Sequence, residues 1–153
     1  SLSAYDMDKL VTKGATKKSV ALTADHLIGA LADFKKVLLE KDEATELFGQ
    51  ERGAGNIDGI LGNVMQSFGG EAVYPTIEEK AAHLLYFMVK NHPFVDGNKR
   101  SGAYAFIWFL NRAKILDKSK ISPAALTALT LFVAESDPKQ KNKMVKLILQ
   151  LLK

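Results

Sequence analysis

The sequence predicts an all-α fold, a helical bundle interrupted by one short β flap just before its central pair of helices. Three observations lead there. Ala81 to Val89 is almost wholly apolar apart from His83, and the stretch from Asn98 to Arg112 is nearly so, as befits helices buried on most sides. The four prolines, Pro75, Pro93, Pro123 and Pro138, all fall between helical patterns. Only Glu71-Ala72-Val73-Tyr74-Pro75 reads convincingly as extended.

Thr23 has the chemistry of an N-cap for a helix through about Lys41, with Leu27, Leu31, Phe34, Val37 and Leu38 on one face. A short helix is expected near Glu43 to Phe48. Asn56 to Phe68 keeps a helical period through Ile57, Ile60, Leu61, Val64, Met65 and Phe68, despite Gly59 and Gly62. The preceding Gly53-Ala54-Gly55 follows no strand, so it reads as a turn and not as a dinucleotide loop. Gly69-Gly70 is expected to stop that helix. Thr76 and Glu79 form a capping box for a helix from Ile77 to Asn91, and Pro93 ends it by pushing His92 toward an extended conformation. The next helix, Asn98 to Arg112, is expected to lie antiparallel to it. Ser122 with Pro123, and Asp137 with Pro138, open two further helices.

With 153 residues, 47% hydrophobic and 25% charged, the chain has the make-up of a single domain over residues 1–153 built on one core. Its start at Ser1 instead of Met is what a piece of a longer chain would show. The net charge is +4, yet residues 1–137 sum to −1, because Lys139, Lys141, Lys143, Lys146 and Lys153 meet no acid near the C-terminus. The absence of cysteine excludes disulfides, thiolate nucleophiles and cysteine-based zinc sites. No apolar run approaches the roughly 20 residues that cross a bilayer, and residues 1–20 lack the apolar centre of a secretory signal. The expected setting is cytoplasmic, with no membrane partner.

Between the two central helices lies a polar loop, His92-Pro93-Phe94-Val95-Asp96-Gly97-Asn98-Lys99-Arg100. It runs into a helix N-terminus, where Gly97, Asn98, Lys99 and Arg100 offer unpaired backbone N–H groups at the positive end of the macrodipole. That is an anion hole in kind. Gly97 removes the Cβ that would hold a phosphate off the backbone, Asn98 adds an amide donor, and Lys99 and Arg100 add charge. Asp96 would repel a phosphate unless a cation lay between them, and a magnesium ion bridging the two resolves the conflict. His92 is the loop side chain able to accept a proton at neutral pH. Together these form a base, a metal-binding acid, a phosphate cradle and a guanidinium, the set needed to transfer a phosphorus group to a hydroxyl. Singly, His92 reads as a helix C-terminal residue, Asp96 as an N-cap, and Lys99 and Arg100 as solvated charges. Their concentration between two buried helices favours chemistry.

His92-x-Phe94-x-Asp96-Gly97-Asn98-Lys99-Arg100 resembles the signature of the Fic/Doc family, whose Fic branch reads His-x-Phe-x-Asp/Glu-Gly-Asn-Gly-Arg-x-x-Arg. The resemblance runs from about Gly62 to Leu110 and is closest to the Fic/Doc domains at the C-terminus of RhuM-like virulence proteins; residues 1 to 50 match only in being helical. It implies that His92 activates the target hydroxyl, that Phe94 anchors the loop, and that Asp96 holds magnesium. Gly97, Asn98, Lys99 and Arg100 would hold the phosphates of a nucleoside triphosphate, ATP by expectation. Glu71, Ala72, Val73 and Tyr74 would form the flap that pairs with an extended segment of the target protein. Lys99 stands where the Fic branch has its second Gly, and Ala103 where it has its second Arg; both match the Doc branch. Fic proteins with both arginines transfer AMP, whereas Doc transfers the terminal phosphate of an inverted nucleotide, so the resemblance favours phosphoryl transfer, with AMP transfer as the alternative. The family's self-inhibition motif, Ser/Thr-x-x-x-Glu-Gly/Asn, is approached only at Ser67 to Glu71, where Ala72 breaks it. An inhibitory partner protein stays open.

His26 and His83 lack companions at ligand spacing, so zinc is not expected, and His83 reads as a core histidine. Trp108 reads as core. The last helix places Lys139, Lys143, Lys146, Gln150 and Lys153 on one face and Met144, Leu147, Ile148, Leu151 and Leu152 inward; a solvated lysine face is expected there, with nucleic acid disfavoured. Three function classes remain at this point: a transferase, a degenerate module that binds nucleotide or a partner without turnover, and a nucleic-acid-binding helical module. The intact His92, Asp96, Asn98 and Arg100 favour the first.

Overall fold

The computed structural model describes Thr16, Val20 and residues 22–153. In chain order these form α1 (Ala24–Glu40), α2 (Asn56–Val64), β1 (Ser67–Phe68), β2 (Glu71–Ala72), α3 (Ile77–Asn91), α4 (Asn98–Arg112), α5 (Pro123–Glu135) and α6 (Lys141–Leu151), the last preceded by a 3₁₀ turn at Pro138–Gln140. The architecture is all-α with a short flap, as predicted. No helix among the described residues is long and apolar enough to cross a membrane.

The helix starts follow from side-chain caps. Thr23 accepts from the His26 N–H, Thr76 and Glu79 complete a reciprocal capping box, and Ser122 accepts from Ala125 with Pro123 in the first turn. α3 and α4 pack on each other more extensively than any other pair, with Leu84, Leu85, Met88, Phe106 and Phe109 fully buried. A Cβ on Gly102 would stand 3.0 Å from Val89 Cγ2 and 3.3 Å from Met88 Cβ. The bare glycine therefore lets the start of α4 close on the end of α3, which is the expected antiparallel arrangement. Helix α1 packs on α4, α2 and α6 pack on α3, and α5 touches both central helices.

The structure corrects four local expectations. Glu43 to Phe48 is not a helix; it makes single turns, with the Phe48 N–H on Thr45 O at 3.0 Å and the Gln50 N–H on Leu47 O at 3.2 Å. Helix α2 stops at Val64 and does not reach Phe68, whose ring is 86% exposed and belongs to β1. Gly69 and Gly70, both at positive φ, form the turn of the β1–β2 hairpin instead of a helix stop. In α6 the deepest side chains are Met144, Val145, Ile148 and Leu149, whereas Leu147, Leu151 and Leu152 are only half-buried.

His83 keeps only 6% of its surface exposed. Its ring stacks on Tyr74 with centroids 3.5 Å apart, and Nδ1 donates to Glu79 O at 2.8 Å. Burial is the main cause holding this imidazole down at about 4; the Glu79 carbonyl opposes that shift, and Lys141 adds to it. Unfolded, an imidazole titrates near 6.5, so the neutral ring contributes its full stability above that pH and loses it as pH falls from 6.5 through about 4. The loss amounts to about 3 kcal/mol. Urea unfolding at pH 7 and pH 4.5 should show wild type weakening more than His83→Phe, which keeps the stack; equal acid loss in both would assign the effect to other groups.

Candidate active site

The loop from His92 to Gly97 is held on three sides before any ligand is considered. Its outer side pairs with the irregular segment 48–52: the Gly49 N–H donates to Asp96 O at 3.1 Å, the Val95 N–H to Gln50 O at 2.8 Å, and the Arg52 N–H to Pro93 O at 2.9 Å. Its inner side is anchored by buried Phe94. Its two ends are closed by Asn98, which accepts the Phe94 N–H on Oδ1 at 2.9 Å and donates from Nδ2 to Phe94 O at 3.0 Å. The Asn98 carboxamide therefore shapes the loop, and its ring of bonds to Phe94 employs one of its two amide hydrogens.

Beneath the loop lies Phe48. Its ring is fully buried, meets Phe34 edge-on at 5.7 Å, and has the Arg100 guanidinium 4.7 Å above it. Phe34 in turn stacks on Tyr104 at 4.3 Å, linking α1 to α4. A Cβ on Gly97 would stand 2.3 Å from Phe48 Cε2, and Gly97 adopts φ +86. Glycine is thus demanded by the ring below and by the left-handed backbone. Packing thus gives a reason for the glycine beside the phosphate approach read from the sequence.

Gly97 is also the N-cap of α4, where it provides no side-chain cap, and no acid sits in the first turn. The first helical bond at this end is from the Ser101 N–H to Gly97 O at 2.8 Å. The N–H groups of Asn98, Lys99 and Arg100 find no acceptor among the described residues, so a 15-residue helix presents its positive end uncapped. Contrast α2, which also starts on a glycine but receives the Glu51 carboxylate on its Asn56 N–H at 3.2 Å. Lys99 and Arg100 are exposed, and Arg100 Nη1 donates to Glu43 O at 2.8 Å.

At the other end of the loop, His92 caps α3 in left-handed geometry, φ 49, and not in the extended conformation expected before Pro93; its side chain is exposed. Its Nδ1 lies 3.2 Å from Lys90 O. A carbonyl only accepts, so Nδ1 carries the proton in the neutral ring and Nε2 keeps its lone pair. Arg52 Nη1 donates to the His92 carbonyl at 3.4 Å. Asp96 is exposed, and its carboxylate has no partner among the described residues, where no cluster of three potential metal ligands occurs. One free carboxylate with no protein cage suits magnesium, which keeps several waters and takes one or two carboxylates plus phosphate oxygens.

The flap is a free ribbon: Ser67 pairs with Ala72 and Phe68 with Glu71, all four exposed. Tyr74, expected within it, lies past its end and serves as its anchor. Besides stacking on His83, Tyr74 accepts from Lys141 Nζ at 3.2 Å through its hydroxyl and from Lys80 Nζ through its carbonyl. The structure thus gathers His92, Asp96, Gly97, Asn98, Lys99 and Arg100 on one clasped loop. Sequence reasoning missed Phe48, Glu51 and Arg52, whose faint signal was the glycine spacing around them, Gly49, Gly53 and Gly55.

A protein-family model described as the Fic/DOC family matches residues 21–110, more than half of the chain. Among curated proteins, the chain is 39% identical over 57 residues to "Toxin Doc" of Mycolicibacterium smegmatis, an alignment covering 37% of this chain and 43% of that relative. The chain thus matches less than half of that relative's length. No solved structure matches the chain. The family match reaches back to residue 21, well before Gly62, and so takes in α1 and the segment 48–52, which the motif alone had left outside.

The contact between Phe48 and Gly97 makes a measurable claim. Gly97→Ala should destabilise the fold by about 2 to 4 kcal/mol, combining left-handed strain with overpacking. In a Phe48→Leu background the same substitution should cost clearly less, a coupling that a double-mutant cycle by urea unfolding reads directly. Additive effects would show that the ring and the glycine are independent.

Proposed function

Because the chain belongs to the Fic/Doc family, we propose that it is a transferase that moves the terminal phosphoryl group of ATP onto a hydroxyl side chain of a target protein. The observation that carries the reading is the uncapped N-terminus of α4 beside a histidine whose tautomer is fixed by Lys90 O. In this reading the N–H groups of Asn98, Lys99 and Arg100 receive phosphate oxygens, and the free donors of the Arg100 guanidinium add to them. Nε2 of His92 takes the proton as the target oxygen bonds to the γ-phosphorus; the bond to the bridging oxygen breaks, and nucleoside diphosphate leaves. Asp96 would hold magnesium, which when bound neutralises charge on the phosphates.

Phosphoryl transfer is preferred over AMP transfer because of two side chains. Lys99 is an exposed charge in the first turn, and Ala103 puts no second guanidinium on α4 one turn further on. A site with a single arginine from this helix grips fewer phosphates. The exposed edges of the hairpin, Ser67–Phe68 and Glu71–Ala72, leave backbone groups free for an extended segment of the target. The relative's name adds the reading that the chain acts as a toxin; an inhibitory partner protein and a cytoplasmic setting complete the proposal.

The test is incubation with cell extract and ATP labelled at either the α or the γ phosphorus. Label from the γ position should appear on a target with wild type and fall by ~10²- to 10⁴-fold with His92→Ala, as general-base loss does. Arg100→Ala should lower nucleotide affinity and rate together. Target labelled from the α position alone would mean AMP transfer, and no His92-dependent label from any nucleoside triphosphate would mean a binding module.

A further inference from the structure

Helix α5 carries no charged residue from Pro123 to Ala134; its one charge is Glu135, at the very end. Its inner residues, Leu126, Thr130 and Val133, are buried, and the helix packs on both central helices. The opposite face is formed by Ala124, Thr127, Ala128, Leu131 and Phe132, a stripe at i, i+3, i+4, i+7 and i+8. All five are exposed, Leu131 at 47% and Phe132 at 64%. A helix that is apolar on both sides belongs between two layers, and nothing among the described residues covers the outer side.

This stripe is complementary to a second copy of itself. With two α5 helices antiparallel about a two-fold axis at Ala128, Phe132 of each copy falls opposite Ala124 of the other, so a large ring meets a methyl group on both sides of the axis. At the axis Ala128 meets Ala128, and the helices can approach closely. The charges at the ends obey the same symmetry. Glu135 closes the stripe, exposed Lys120 stands just before the helix, and antiparallel pairing brings each Glu135 to the Lys120 of the other copy. Neither side chain is in an ion pair among the described residues. A charged partner would find no countercharge along the stripe, and parallel pairing would set Glu135 against Glu135.

We infer that the outer face of α5 is a homodimer surface, on which two copies of this chain pair antiparallel about a two-fold axis at Ala128. No residue of the candidate active site lies on this face, so the inference does not rest on the transferase reading. The 13 residues of α5 make a helix about 20 Å long. One pair of such faces buries on the order of 800 Å² in total, less than the roughly 1,200 Å² at which stable interfaces begin. The dimer is therefore weak and responds to concentration, with the Phe132 ring as its main anchor.

Sedimentation equilibrium of the whole chain from micromolar to near-millimolar concentration tests this. Wild type should pass from monomer to dimer across that range. Ala128→Glu places two like charges at the axis, on a residue type that favours helix, and should weaken association about tenfold or more. Phe132→Gln should weaken it in the same direction and guards against an Ala128→Glu that loses helix by circular dichroism. The chain has no cysteine, so Ala128→Cys supplies one thiol per copy. With copper phenanthroline as oxidant it should cross-link to a dimer faster than Lys36→Cys on exposed α1, because paired α5 helices bring the two Cα atoms at the axis within about 7 Å. A chain that stays monomeric throughout, a dimer indifferent to both substitutions, or equal cross-linking at the two thiols overturns the inference. Flotation of monomeric wild type with phosphatidylcholine vesicles, abolished by Phe132→Gln, would assign the face to a lipid surface and overturn it as well.

Discussion

The whole site depends on one contact, the Phe48 ring lying where a side chain on Gly97 would be. The ring leaves no room for a Cβ, which keeps residue 97 a glycine. A glycine there permits the left-handed turn that aims α4 at the loop, and it leaves the helix without a side-chain cap. Structural packing and an open anion site are thus the same choice of residue. The ring also ties distant elements together, since Phe34 reaches it from α1 and Arg100 covers it from α4. A change at Phe48 would be felt at the helix end without touching any group that meets a ligand.

Electrostatically, the site is assembled from what is withheld as much as from what is supplied. α1, α3 and α5 take side-chain caps and α2 takes a glutamate, whereas α4 takes neither at its start. Loop polar groups that would otherwise compete for those N–H donors are engaged elsewhere: the carbonyls of Pro93 and Asp96 accept from the segment 48–52, and the Asn98 carboxamide is spent on Phe94. Among the described residues, what stays free is one carboxylate, one imidazole nitrogen, the Lys99 ammonium, the remaining donors of Arg100 and the positive end of a helix.

The central helices were legible in the sequence to the residue, because capping and apolar periodicity agreed: Thr76 with Glu79 at one start, Pro93 at the stop, and an unbroken apolar run in each. The motif residues were legible for the same reason, a polar loop between two buried stretches. Where the reading failed, the local pattern and the tertiary contact disagreed. Phe68 extended the period of α2, yet its ring stands in solvent on a hairpin that Gly69 and Gly70 make tighter than any helix end. Glu43 to Phe48 was expected to form a short helix, but the backbone of residues 49–52 is committed to residues 93–96, more than forty positions away. No local window contains that pairing. Asn98 was read as a ligand donor because its amide is one, and only the fold shows that Phe94 uses it first.

The clasp on the loop has a further consequence for how such a protein can change over generations. Three hydrogen bonds join residues 49–52 to residues 93–96, and every one runs between backbone atoms. Backbone pairing does not depend on which side chains stand on it, so exposed Gln50 and Val95 are free to mutate while the loop keeps its shape. Lineages can diversify the rim of the loop without disturbing the backbone that shapes its centre. Innovation at the edge and constancy at the core are separated here by the kind of atom that makes the bond.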